Sequence, residues 1–173
     1  FMMLGASTPI PPRVWKMMGT LGSRLFFLSI NAQDKSEAQL VEQLVTKTAK
    51  SKERDCRNIT KEFLHTLWRK YPNGIDWDRA KDVEHLTIIA RCANLLAHLR
   101  GTISVWVDRD WEGKEYNYYP PNIEKPDRIN QLFYNLARGH ALACSRNQIN
   151  ETDLKLIIEL AVDSAPTIRS KLF

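Results

Sequence analysis

A long apolar segment in the middle of the chain constrains the fold most. Between Asp78 and Leu99, apolar residues recur at helical spacing, at Val83, Leu86, Ala90, Ala93 and Ala97. Other apolar residues cover the remaining sides of the same helix. A helix that is apolar all round is buried by its neighbours. The segment therefore predicts a central helix, which Gly101 ends.

Amphipathic segments on both sides predict that the neighbours are also helices. Ser36 can cap a helix with one apolar face, made of Leu40, Val41, Leu44 and Val45. A second helical pattern runs over residues 53–69. Residues 125–143 predict a helix whose core stripe is Ile129, Leu132, Phe133, Leu136 and Ala143.

The last part of the chain has a clear helix start. Asn150 and Asp153 have the spacing of a capping box, and Leu154, Ile157, Ile158 and Ala161 follow as the buried face. Pro166 opens a last helical turn. These patterns predict a mainly α protein, a helical bundle.

Two regions predict β-structure. Residues 102–107 are rich in β-branched residues and residues 114–119 are strand-like, so we expect an inserted β-hairpin over residues 102–119. At the N-terminus, residues 1–7 and 24–30 predict two buried strands with a short helix from Pro12 between them. We therefore expect residues 1–32 to be the remnant of an α/β core and residues 33–173 to be a helical domain.

Composition excludes little beyond membrane proteins and disorder. The 173 residues carry a net charge of +5, which allows an acidic partner without requiring one. No apolar run approaches the roughly 20 residues that a membrane-spanning helix needs, so we expect no membrane partner. Three cysteines, far apart in sequence, predict a reducing, cytoplasmic setting.

The chain lacks the motifs of a self-contained active site. It has no GxxxxGK phosphate loop ending in Ser or Thr, and no GxGxxG, HExxH or GxSxG. The four histidines are scattered. The acids of the hairpin, Asp108, Asp110, Glu112 and Glu115, are typical of a solvated turn. We therefore expect no metal site.

Two arginines are candidates for phosphate contacts. Arg24 follows Gly22-Ser23 at the start of the second predicted strand, and Arg128 begins a long amphipathic helix. The guanidinium group suits bidentate contacts with phosphate. For either residue taken alone, an ordinary surface ion pair is the alternative.

The order of these elements resembles the C-terminal part of an AAA+ ATPase. Leu4-Gly5-Ala6-Ser7-Thr8-Pro9 looks like the strand that ends in the sensor 1 residue. Gly22-Ser23-Arg24-Leu25-Phe26 is similar to the SRF segment of minichromosome maintenance helicases. Residues 128–154, from Arg128-Ile129-Asn130 to Asn150-Glu151-Thr152-Asp153, are similar to the lid of those helicases.

The resemblance implies roles for four residues. Ser7 or Thr8 would orient the water that attacks the γ-phosphate of ATP, and Arg24 would be an arginine finger in a homo-oligomeric ring. Arg128 would be the sensor 2 arginine that binds the nucleotide. The phosphate loop and the residues that hold Mg²⁺ would lie upstream of Phe1, so this chain alone should be inactive. The helices of residues 36–99 and the hairpin are additions to a minimal lid.

The residues are also compatible with two other functions. Aromatic residues interleaved with cations can stack nucleic-acid bases, which would favour a DNA-binding helical module without ATPase activity. Its candidates are Lys47, Lys50, Lys52, Arg54, Arg57, Lys61 and the aromatic residues of the hairpin, including Trp111. A solvated helix face and packing within the hairpin are the alternatives. The third possibility is a protein–protein interaction domain.

Overall fold

The computed structural model describes residues 25–30, 34–45, 48–78, 81–110 and 113–172. These ranges contain six helices and one two-stranded antiparallel sheet, so the prediction of a mainly α protein with an inserted hairpin is confirmed. The N-terminal strand over residues 1–7 and the helix from Pro12 were predicted for residues outside the described ranges.

The described residues divide into two compact units. One is formed by residues 30–77, and the other by residues 25–29 together with residues 78–172. The smaller unit contains α1 (Glu37–Val45) and α2 (Thr48–Lys70). The larger unit contains α3 (Val83–Arg100), β1 (Val105–Asp110), β2 (Gly113–Tyr118), α4 (Asp127–Ala143), α5 (Glu151–Asp163) and α6 (Thr167–Ser170).

In the smaller unit, the predicted cap of α1 is confirmed. The Ser36 hydroxyl accepts a hydrogen bond from the backbone N–H of Gln39 at 3.3 Å, and the Gln39 side chain accepts one from the backbone N–H of Ser36 at 3.0 Å. This reciprocal pair satisfies two N–H groups at the helix start. Helix α2 begins at Thr48, earlier than the predicted residue 53. The apolar face of α1 is exposed throughout.

The core of the larger unit is a three-helix arrangement of α3, α4 and α5. The most deeply buried residues come from all three helices: Ile89, Ala93, Leu96, Ala97, Ile129, Phe133, Ala137, Ala141 and Ile157. Each of the three helices contacts the other two, so α3 packs against two neighbours but is no more central than α4 or α5. Several of the buried positions are alanines, which let the helix backbones approach closely.

The buried face of each helix differs from the predicted stripe. In α3, Val83 is 58% exposed and the buried stripe begins at Ile89. In α4, Ile129 and Phe133 are buried as predicted, but Leu132, Leu136 and Ala143 are exposed, and the buried side continues instead with Ala137 and Ala141. In α5, Ile158 is exposed and Leu160 is buried. The buried positions hold large side chains, such as Phe133 and Ile129, as well as alanines.

The predicted β-hairpin is confirmed, but Asp108, Asp110 and Glu115, which were predicted to lie in its turn, belong to the strands. Its strands pair in antiparallel register from Val105 opposite Tyr118 to Asp110 opposite Gly113. Two backbone hydrogen bonds between Thr102 and Asn122, at 2.8 and 3.0 Å, close the base of the hairpin. Most side chains of both strands are exposed.

The prediction of a second N-terminal strand over residues 24–30 is wrong for its described residues. Residues 25–30 form neither helix nor strand, because β1 and β2 pair only with each other and leave no sheet partner among the described residues. Instead, the Phe26 ring packs against the Phe133 ring at 5.2 Å between centroids. The Phe27 N–H donates to the Ser164 hydroxyl at 2.8 Å. The segment is therefore part of the surface layer of the bundle.

Candidate functional site

Arg128, the predicted nucleotide-binding residue, lies within the described part of the chain. It is the second residue of α4, it is exposed, and no hydrogen bond or ion pair joins its side chain to another described residue. A cation in the first turn of a helix opposes the helix dipole, at a cost of about 0.3–1 kcal/mol. Helix stability therefore does not account for an arginine at this position.

The predicted catalytic residues, Ser7, Thr8 and Arg24, lie outside the described residues. The residue that follows Arg24 in sequence, Leu25, is described, and its carbonyl oxygen accepts a hydrogen bond from Arg100 Nη2 at 2.8 Å. Arg100 Nε donates to the carbonyl oxygen of Ser164, also at 2.8 Å. The chain directly after Arg24 is therefore tied to the ends of α3 and α5.

Arg100 is a buried cation that the sequence analysis missed. Burial lowers its pKa to about 10, against the opposing effect of Glu124, so the guanidinium stays charged at neutral pH. The group lies 5.5 Å from the centre of the Phe26 ring, within cation–π distance. An arginine in the last turn of a helix is common, so this alone gives no reason to expect it to be buried. Its burial could have been predicted from its position four residues after Leu96, on the buried stripe of α3.

A second missed arginine supports the same end of α3. Arg169 Nη1 donates hydrogen bonds to the carbonyl oxygens of Leu99 at 2.6 Å and Gly101 at 2.5 Å. The last carbonyl groups of a helix have no partner within the helix, and a basic side chain can satisfy them. Arg169 thus connects α6 to the end of α3.

The predicted capping box at the start of α5 is confirmed. The Asp153 carboxylate accepts a hydrogen bond from the backbone N–H of Asn150 at 2.8 Å, and the Asn150 side chain accepts one from the backbone N–H of Thr152 at 3.0 Å. Asp153 is completely buried. It also binds two side chains that the sequence analysis missed: Arg146 with two hydrogen bonds, and His140 through Nδ1 at 2.5 Å.

The surroundings of Asp153 keep it ionised. Burial by itself would raise the pKa of this carboxyl group, but the hydrogen bonds from Arg146, His140 and the Asn150 backbone outweigh it and lower the pKa below its usual value. All the strong contacts of the carboxylate are made within the protein. We therefore assign this cluster to holding the end of α4 against the start of α5.

The predicted nucleic-acid cluster on α2 is only partly brought together. Lys50, Arg54 and Arg57 follow one another at spacings of four and three residues and share one helix face, which Lys61 continues. Lys52 lies two residues after Lys50, about 200° around the helix, and is on another face. Arg57 is paired with Glu53 at 2.8 Å. Lys47 and Trp111 lie outside the described residues.

Within the described ranges, no group of three or more His, Cys, Asp or Glu residues is placed to hold a metal ion. None of the helices described is long and apolar enough to cross a membrane. Comparison of the chain with family models, with curated proteins and with solved structures gives no match.

Proposed function

We propose that this chain is the sensor and lid region of an AAA+ ATPase, in which Arg128 binds the phosphates of ATP. The observation that carries the proposal is the exposed, unpaired guanidinium of Arg128 in the first turn of α4. Its position costs helix stability, and a bound anion would offset that cost. Arginine can contact phosphate oxygens with two parallel hydrogen bonds.

The surrounding bundle supports this role. Helix α4 is anchored in the core by Ile129 and Phe133, which leaves the adjacent Arg128 on the outer side of a rigid element. The capping box at Asn150 and Asp153 begins the next helix, as the resemblance to the lid of minichromosome maintenance helicases implies. A rigid helix holds a ligand-binding side chain more accurately than a loop does.

The proposed chemistry is phosphoryl transfer to water. Positioning and charge stabilisation do most of the work in this reaction. Ser7 or Thr8 would orient the attacking water, and Arg24 would reach the nucleotide of a neighbouring subunit in a homo-oligomeric ring. Residues N-terminal to Phe1 would bind Mg²⁺ and the phosphates. The contact between Arg100 and Leu25 would then hold the segment that follows the finger. The free cysteines fit a cytoplasmic ATPase.

The test is ATP hydrolysis and nucleotide binding by the full-length protein with Arg128→Ala. A charge-assisted hydrogen bond contributes about 1.5–3 kcal/mol, so activity should fall roughly 10- to 150-fold. Lys125→Ala is the matched control, because it removes an exposed cation just before the same helix. The proposal fails if the wild-type protein hydrolyses no ATP, or if both variants keep equal activity.

The role of Arg24 needs a separate experiment. Losing an arginine finger costs about 10³- to 10⁵-fold in rate. Arg24→Ala subunits should therefore be inactive alone, yet regain activity when mixed with subunits that keep Arg24 but cannot bind ATP. Such complementation requires a finger that acts between subunits. If the mixture stays inactive while both proteins assemble, Arg24 does not act in trans.

A further inference from the structure

The β-hairpin carries its charges in an arrangement that works against its own stability. In its register, Asp108 lies opposite Glu115, and Arg109 lies opposite Lys114. Like charges directly opposite each other across two strands are destabilising. Exchanging Lys114 and Glu115 would make both pairs attractive without changing the composition. Folding of the hairpin therefore does not explain this charge pattern.

The register also sorts the charges onto opposite faces. Successive side chains of a strand point to opposite sides, and residues opposite each other across the strands share a side. One side, which we name the Tyr–Arg face, consists of Val105, Val107, Arg109, Lys114, Tyr116 and Tyr118. The two acids Asp108 and Glu115 lie on the other side.

The acidic side has partners within the protein. Trp106 lies on it, and its ring packs against the Tyr119 ring at 4.2 Å between centroids, with the two planes tilted by 43°. Asn117 Nδ2 donates a hydrogen bond to the Asp108 carboxylate at 2.9 Å. These contacts hold the side chains of that side in place.

The Tyr–Arg face has no such contacts. Tyr116 is 58% exposed and Tyr118 is 65% exposed. Arg109 and Lys114 are also exposed. No hydrogen bond, ion pair or ring stacking joins any of the six side chains to another residue in the described part of the chain. The face therefore presents two aromatic rings and two cations to a partner.

We propose that the Tyr–Arg face binds single-stranded nucleic acid. Unpaired bases expose flat rings that stack on tyrosine, and every base can do so. The phosphates would lie between Arg109 and Lys114. Each cation would then be attracted to a phosphate, which offsets the repulsion between the two cations. A duplex hides its base faces, and an apolar protein surface would bury both cations without a partner. The proposal does not depend on ATPase activity.

The binding experiment uses the full chain without nucleotide. Fluorescence anisotropy would measure the affinity for labelled oligothymidylate, for oligouridylate and for a duplex of the same length, at low and raised salt. We expect tighter binding to the single strands than to the duplex. Binding should weaken with salt by a slope of about −0.7 for each phosphate contacted. Oligodeoxyuridylate, which differs from oligouridylate only in the sugar, tests whether the face prefers DNA or RNA.

Paired variants separate stacking from charge. Replacing Tyr116 and Tyr118 with Ala should weaken binding roughly 5- to 150-fold per tyrosine, whereas replacing both with Phe keeps the rings and most of the affinity. Arg109→Glu with Lys114→Glu should remove the interaction and reduce the salt slope. Lys155→Glu with Lys171→Glu makes the same change in net charge on exposed residues elsewhere and should bind almost normally.

A second measurement does not depend on the folding of any variant. Photo-crosslinking of the wild-type protein to a strand carrying 5-iododeoxyuridine, followed by mass spectrometry, should place the crosslinks on Tyr116 or Tyr118. Crosslinks confined to other aromatic residues would overturn the proposal. The proposal would also be overturned if both pairs of charge variants lost the same affinity, if the protein preferred the duplex, or if it did not bind at low salt. Self-association lost in the Tyr-to-Ala variant, without nucleic-acid binding, would assign the face to a protein interface.

Discussion

Arg146 holds the buried carboxylate of Asp153 with two parallel hydrogen bonds, Nη1 to Oδ2 at 2.7 Å and Nη2 to Oδ1 at 2.8 Å. Arg146 lies in the connection between α4 and α5, and Asp153 lies in the first turn of α5. The contact therefore sets the path of the chain between two helices of the core. It also supplies the opposite charge that a buried carboxylate requires.

Asp153→Ala should destabilise the fold strongly. The change removes one half of the capping box and leaves Arg146 and His140 without their shared acceptor. Breaking a buried pair from one side costs about 3–5 kcal/mol, and because Arg146 is partly exposed we expect a loss of about 2–4 kcal/mol. Urea unfolding followed by circular dichroism measures it. Glu151→Ala, an exposed acid in the same helix turn, should cost less than about 1 kcal/mol.

Stability should also depend on pH through Asp153. Its pKa is lower in the folded protein than the value of about 3.9 for an unfolded chain, so below that value the unfolded chain binds a proton that the folded chain does not. The stabilisation is complete above about pH 5 and is lost as the pH falls below about 4. The difference in unfolding free energy between wild type and Asp153→Asn should therefore shrink as the pH falls below about 4. A difference that grows below about pH 4 would contradict this assignment.

Local patterns were enough to predict where most helices begin. The side chains of Ser36 and Asn150 bind backbone groups two or three residues away, so the short sequence around each identifies the cap. The hairpin is also local, since its two strands are adjacent in sequence. Arg128 could be predicted as an exposed residue because it directly precedes the buried Ile129 in the same helix turn.

The buried faces and the arginine contacts depend on residues far apart in sequence. Leu132 and Leu136 are more apolar than Ala137 and Ala141, yet the alanines are buried, because they share the side of α4 that carries the buried Ile129 and Phe133. Apolarity alone cannot reveal this. The bond from Arg100 to the carbonyl oxygen of Leu25 spans 75 positions, and no sequence period encodes such a contact.

Ser164→Ala should loosen the segment that follows Arg24. The buried Ser164 hydroxyl accepts a hydrogen bond from the Phe27 N–H at 2.8 Å and lies 3.2 Å from the Phe27 carbonyl oxygen, to which it donates. Removing both bonds should cost about 1–2 kcal/mol. Hydrogen exchange at the Phe27 amide should become faster, while amides in the middle of α4 keep their rates relative to global unfolding.

Ser170→Ala is the control for this change. The Ser170 hydroxyl donates one hydrogen bond to the Thr167 carbonyl oxygen, in the short helix α6 close to the C-terminus. Its loss should leave both stability and exchange at Phe27 almost unchanged. If the two serine variants behave alike, then Ser164 does not anchor the segment.

The three cysteines should differ in reactivity. Cys56 and Cys144 are exposed, whereas Cys92 is buried in α3, and burial raises the pKa of its thiol. The thiolate is the reactive form, so both access and ionisation protect Cys92. Iodoacetamide labelling followed by peptide mapping should modify Cys56 and Cys144 in the folded protein and Cys92 only in urea. Labelling of Cys92 at the rate of the others would place it outside the core.

Gly139→Ala should stabilise the protein. Gly139 lies inside α4, it is exposed, and a Cβ atom added there meets no other atom within 4 Å. Alanine restricts the unfolded chain and favours the helix, which gives about 0.5–1 kcal/mol. Gly74→Ala should do the opposite and cost about 1–2 kcal/mol, because Gly74 has a φ of +92°, which alanine adopts only with strain. Thermal unfolding of both variants measures the contrast, and a melting temperature of Gly139→Ala below wild type would show that α4 requires glycine at this position.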